Sequence, residues 1–153
     1  MPFWELFSED TILDHLPAKT KDDAFAAMLD CLVAAAQVQK KDVASIKRKL
    51  KEREKLATTG IGHGVAVPHV RSPHITRLSV CLARSVEGLE FHAPDGQKVH
   101  TIFLILAPNE PTEEHLKLLR WISTIGRDSD FRRFVMAARN RAEILGLLKE
   151  KSV

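Results

Sequence analysis

Several features that would assign a function at once are missing. Over 153 residues no apolar run is long enough to cross a bilayer, and the N-terminus has no basic-then-apolar leader. Direct membrane insertion is therefore not expected, and a cytoplasmic protein is. Cysteine is scarce: Cys31 and Cys81 sit in the apolar segments Leu29-Asp30-Cys31-Leu32 and Val80-Cys81-Leu82. Two such thiols make neither a disulfide framework nor a zinc pattern, and buried free thiols are expected. A large charge excess is absent too. The net charge is +3, and Lys47-Arg48-Lys49 and Arg132-Arg133 lack interleaved aromatics, so no nucleic-acid partner is expected. No repeat, low-complexity tract or linker divides the chain.

Familiar catalytic signatures are missing as well. There is no Gly-x-Ser-x-Gly elbow, and neither cysteine sits beside a histidine. A zinc site from His63, His69 and His74 lacks the general base that a His-Glu-x-x-His helix supplies, so no metal is expected. The run Gly60-Ile61-Gly62-His63-Gly64 lacks the lysine and hydroxyl of a nucleotide-phosphate loop, which disfavours a nucleotide-using kinase.

What is present is an ordinary globular composition, 44% apolar and 28% charged, in a chain long enough for one domain with its own core. Phe3 to Phe7 reads as an apolar helical turn docking on the body, and Ile12 to Leu16 as a first strand closed by Pro17. Thr20 caps a helix over Lys21 to Gln37 whose Phe25, Met28, Leu29, Leu32 and Ala36 share one face. A second helix from about Lys41 to Lys55 carries Val43, Ile46 and Leu50 and delivers Arg53 and Glu54 to the mouth of the glycine run. Arg71-Ser72-Pro73-His74 reads as loop, Leu78 to Ala83 as a strand, and Val86 to Phe91 as a second short one. Val99 to Leu106 is a central strand. Thr112 caps a helix with Leu116, Leu119, Ile122 and Ile125 on one face, and two more helices begin at Asp128 and Arg141. Alternating strands and helices predict one α/β domain spanning 1–153, a small mixed sheet with helices on both faces.

The stretch Thr58-Thr59-Gly60-Ile61-Gly62-His63-Gly64-Val65-Ala66-Val67-Pro68-His69 organises the rest. Three glycines allow tight turning and close approach to a ligand, Val65 to Val67 is a buried strand, and Pro68 ends it. His69 then stands where strand gives way to loop, a natural position for a reactive side chain; a loop histidine bonded to its neighbours is the equal reading. His115 begins the helix after the most buried strand, where α/β ligands gather, against an exposed surface histidine as the alternative. His63 is better read as an exposed loop residue, and His15, His74, His92 and His100 as surface residues.

These residues resemble the EIIA domains of the fructose/mannitol and nitrogen-regulatory class of the bacterial phosphoenolpyruvate-dependent phosphotransferase system. The match runs from Arg53-Glu54 through Pro68-His69 and resumes at Val99 to Pro108 and at Glu114-His115-Leu116-Lys117-Leu118-Leu119. The resemblance implies that His69 accepts a phosphoryl group, through Nε2, from the phosphocarrier HPr or its nitrogen-branch paralogue NPr, and passes it to an EIIB domain. It implies that His115 steadies the phosphoryl oxygens and that Arg53 supports the site. One departure is Val70, where many relatives carry a small residue.

Loose phosphoryl transfer chiefly needs positioning and charge balance. The amides of Gly60, Gly62 and Gly64 are the expected cradle, with no cofactor. A docking donor requires a flat, partly apolar rim, for which Ile61, Val65, Val70 and Ile75 are candidates. Two biological readings remain: a regulator switching a partner protein, and a sugar-uptake component feeding EIIB. The chain carries no fused EIIB, HPr or membrane segment, and Pro2 to Leu6 leads directly into the domain, which favours the regulator.

Overall fold

The computed structural model describes residues 2–152. Helices α1 (Lys21–Ala34), α2 (Val43–Leu56), α3 (Glu113–Arg127), α4 (Ser129–Ala137) and α5 (Arg141–Glu150) surround strands β1 (Ile12–Leu13), β2 (Gly60–Gly62), β3 (Val65–Ala66), β4 (His69–Ser72), β5 (Ser79–Leu89) and β6 (Val99–Pro108). The strands form one mixed sheet in the order β1-β5-β6-β3-β2, with β4 also pairing β6.

Strand alternation decides what lies on each face. Along β6, Ile102, Leu104 and Leu106 join Phe25, Met28, Leu29, Ile46 and Leu50 of α1 and α2. Phe103 and Ile105 turn the other way, towards Leu118, Ile122, Phe131 and Ile144 of α3, α4 and α5. Helices therefore cover both faces, as the sequence predicts, and β6 is buried along nearly its whole length.

The boundaries depart from expectation where tertiary contacts override local pattern. The first strand is two residues long. Helix α1, capped by the Thr20 hydroxyl accepting from Asp23 N at 3.1 Å, stops at Ala34. Ala36 then takes φ 60° and is exposed rather than facing the core. The two strands expected between Leu78 and Phe91 are one, because Arg84 continues it as a buried residue. Its guanidinium donates to the carbonyls of Asp14 at 2.8 Å, Val135 at 3.0 Å and Ala138, and a register slip between Arg84 and Leu89 absorbs the irregularity.

Helix α3 is rotated from the expected face. His115, Leu118, Trp121, Ile122 and Ile125 are buried, while Leu116 is 56% exposed. The larger ring of Trp121 wins the inner position, meeting Phe3 and Phe7 and donating Nε1–H to Lys151 O at 2.8 Å. Both cysteines are free thiols; Cys81 is buried, whereas Cys31 is only half-buried.

Candidate functional site

Expectation and structure differ most at Pro68. His69 does not leave the sheet. Val65 pairs with Thr101, Ala66 with Ile102 and His69 with Ile105, all parallel, so β3 and β4 are one track along β6 interrupted at Val67-Pro68. Pro68 cannot donate to a ladder, but its carbonyl accepts from Ile105 N at 3.0 Å and the pairing resumes. Arg71 and Ser72, expected in a loop, are therefore strand residues.

The interruption leaves the Val67 carbonyl facing the His69 ring, with Nδ1 2.7 Å from the oxygen. A carbonyl only accepts, so Nδ1 carries the proton and Nε2 keeps its lone pair. His115, brought by the first turn of α3 where the Thr112 hydroxyl accepts its amide at 3.1 Å, faces His69 with ring centroids 6.2 Å apart and planes at 74°. Its Nε2 is buried with no hydrogen-bond partner. Burial first, then the neighbouring His69 and Arg71, push the His115 pKa below its ordinary value.

Both rings line an open cleft of about 540 Å³ with Lys49, Arg53, Val70, Arg71 and Asn109. Three cations and no carboxylate line it, so it suits an anion. Arg53, half-buried at the end of α2, donates Nη1–H to Ala57 O at 2.7 Å. Of the four rim candidates only Val70 reaches this cleft; Val65 and Ile75 are core, and Ile61 packs towards Gly126.

Gly60, Gly62 and Gly64 are not placed as a cradle for this site. They form β2 and the hairpin into β3, with Gly62 at φ 94°, His63 at 58° and Gly64 at 78°. None lines the cleft. At about 3.3 Å per residue the His63-Gly64 turn lies about five residues, roughly 16 Å, up the strand track from His69. The glycines serve the turn instead: His63 N donates to Asp95 Oδ2 at 2.8 Å, and Gly64 O accepts from His100 N at 2.8 Å. His74 pairs with Asp42 at 3.5 Å, and among the described residues no group of His, Cys, Asp and Glu is arranged to hold a metal ion.

Three contributors were missed in the sequence. Arg71 shares strand parity with His69, a signal hidden by reading the strand as ended. Lys49 lies one helical turn before Arg53, a spacing that was available. Asn109 follows β6, and no pattern marks it. Glu54, expected at the mouth of the glycine run, works from behind: 6% exposed, its carboxylate takes Lys21 Nζ at 2.8 Å, Thr59 N at 3.1 Å and the Thr59 hydroxyl. Thr59 O in turn accepts from Val67 N at 3.0 Å, so Glu54 is linked through two backbone groups to the carbonyl that orients His69.

Known proteins carry this architecture. The family described as "Phosphoenolpyruvate-dependent sugar phosphotransferase system, EIIA 2" matches residues 5–151. A nitrogen regulatory protein of Bradyrhizobium diazoefficiens is 32% identical over 97% of this chain and 95% of its own. A fructose-specific EIIA component of Haloferax volcanii is 34% identical over 88% of this chain and 86% of its own. Among solved structures, the nitrogen regulatory protein IIA-Ntr of Neisseria meningitidis superposes with a TM-score of 0.86 at 28% identity, covering 95% of this chain and 98% of that one. The Escherichia coli mannitol IIA shares the fold, with a TM-score of 0.77 at 23% identity over 93% and 98% of the two chains. With a match over nearly its whole length, the chain belongs to the EIIA 2 family and is a phosphotransferase-system component.

Proposed function

We propose that the protein is a phosphoryl carrier of the nitrogen-regulatory type, with His69 Nε2 accepting the phosphoryl group from the phosphohistidine of HPr or NPr. The observation that carries this reading is the Nδ1 contact of His69 with Val67 O at 2.7 Å. It fixes the ring with the Nε2 lone pair available, so the P–N bond of the donor breaks as the new P–Nε2 bond forms. No proton need leave His69. His115 Nε2, lacking any protein partner, supplies a hydrogen bond to a phosphoryl oxygen, and its lowered pKa keeps that ring neutral. Lys49, Arg53 and Arg71 balance the oxygen charge.

The regulatory reading draws support from near-complete overlap with a nitrogen regulatory relative and from the 0.86 superposition on IIA-Ntr. On this reading the protein works in the cytoplasm, and its phosphorylation state switches a target protein. Similarity to the fructose-specific EIIA component favours a second reading, in which the phosphoryl group passes through EIIB to an incoming sugar. Incubation with phosphoenolpyruvate, enzyme I and HPr or NPr tests the carrier reading: an acid-labile phosphoryl group on His69 is expected, and its absence refutes it. Adding sugar-specific EIIB domains then separates the two: rapid discharge is the outcome that sinks a purely regulatory role.

A further inference from the structure

Helix α2 turns Ile46 and Leu50 into the core, and the rest of its circumference is strongly basic. One side meets the His69 cleft through Lys49 and Arg53. The other lines a shallow groove of about 340 Å³ with Ala44, Lys47, Arg48, Lys51, Glu52 and Lys55. At about 3.6 residues per turn the two sides adjoin across Ser45, Glu52 and Leu56, so one basic surface runs round the helix into the cleft. Its cations are poorly matched by acids. Glu54 is engaged behind the helix with Lys21 and Thr59, and Asp22 of α1 reaches Lys47 at 3.8 Å and Lys51 at 3.2 Å. Among the described residues Arg48, Lys49, Arg53 and Lys55 pair with no carboxylate; Lys49 and Arg53 donate to the Arg71 and Ala57 carbonyls at 3.3 Å and 2.7 Å. Glu52 is the carboxylate left on the exposed side, and Leu56 stands 84% exposed beside it. Across the cleft α3 opens with Glu113 and Glu114, so the basic field belongs to α2 and not to the whole rim.

We propose that this face of α2 docks an acidic segment of a partner protein, its carboxylates meeting Arg48, Lys49 and Lys55 and an apolar side chain covering Leu56. Arg48 and Lys55 lie two turns apart, roughly 10 Å, a spacing that carboxylates on one exposed segment can match. Nucleic acid fits less well, because α2 offers no aromatic side chain on which a base could stack. An anionic lipid surface fits less well too. It requires a broad apolar face beside the cations, and here Ile46 and Leu50 are buried in the core while Leu56 stands alone.

The surface is continuous with the cleft, so it senses the charge held there. In this respect alone the proposal rests on the carrier reading. A phosphoryl group on His69 brings about two negative charges beside Lys49 and Arg53, which lowers the positive potential along α2 and weakens the docking.

The test is fluorescence anisotropy of a fluorescein-labelled oligoglutamate peptide carrying one leucine, titrated with the full chain at physiological salt, with amide NMR shifts to locate it. Shifts should be confined to α2 and the His69 cleft. Arg48→Glu combined with Lys55→Glu, both exposed positions, should weaken binding about tenfold or more. Lys98→Glu combined with Arg133→Glu, which makes the same change in net charge at exposed positions elsewhere, should leave it unchanged. Equal weakening by the two double variants, shifts away from α2, or tighter binding to a DNA duplex or to phosphatidylserine vesicles would each overturn the proposal. Protein phosphorylated on His69 should bind the peptide about fivefold more weakly, and equal affinity overturns the coupling. Failure of His69 to take up phosphate counts against the carrier reading instead, and the titrations of the unmodified chain still decide the docking surface.

Discussion

The ring of His115 stands edge-on to that of His69, 6.2 Å between centroids and 74° between planes. That leaves the two imidazoles too far apart to hydrogen-bond directly, with room for a group held by both. It also explains why His115 Nε2, though buried, has no protein partner.

Replacing His69 by Ala should abolish labelling by phospho-HPr while leaving the fold unchanged, since the ring is only half-buried at the edge of the cleft. Circular dichroism and acid-labile phosphate together check this. Label on the variant would reassign the acceptor.

The His115 ring should titrate below 6.5 because burial disfavours its charged form, and Arg71→Ala should move it back upwards. Between the lowered value and 6.5 the unfolded chain binds more protons than the folded one, so stability rises with pH across that window. Imidazole NMR titration gives the value directly, and urea unfolding at several pH values gives the slope. His115→Ala should remove that slope and slow phosphoryl transfer about 100-fold, the usual loss on removing one donor to a developing oxyanion.

Glu54→Ala should destabilise the protein by about 2–3 kcal/mol, because a charged acceptor is lost and Thr59 N is left unpaired. The loss should extend to transfer rate, since Thr59 holds Val67 and Val67 holds His69. Glu54→Gln, which keeps an acceptor for Thr59 but loses the charge opposite Lys21, should fall between. Equal transfer rates in all three proteins would confine Glu54 to a structural part.

Arg84→Met should cost about 3 kcal/mol in urea unfolding, because the carbonyls of Asp14, Val135 and Ala138 lose a common donor at ~1 kcal/mol or more each. Transfer from phospho-HPr should be retained at temperatures where the variant stays folded. Arg84 lies outside the His69 cleft.

The layered architecture was legible because β6 is a long apolar run, α1 carries helical spacing behind a Thr20 cap, and α2 carries a narrow apolar stripe. The His69–His115 pair was legible only through family resemblance; nothing local to either residue predicts a 6.2 Å approach across 46 positions. Pro68 misled the reading of the site. It looked like a terminator, yet parallel pairing to β6 needs only its carbonyl, and so Arg71 was lost to a supposed loop. The glycines misled in the opposite sense. Their freedom serves a hairpin packed on Asp95 and His100, a non-local contact that no spacing reveals. Leu116 was assigned inward because i+3 spacing fits two faces of α3 equally, and only the bulk of Trp121 chooses between them.

His69 belongs to a strand hydrogen-bonded to the most buried strand of the sheet, not to a loop or lid. On the proposed carrier reading, its Nε2 is therefore aligned when the chain folds and need not be aligned again at each encounter. Nothing about the acceptor has to open, so the rate of relay is governed by how quickly two protein faces meet and part. Transfer should accordingly respond to ionic strength and viscosity more than to substitutions that stiffen the loops around the cleft.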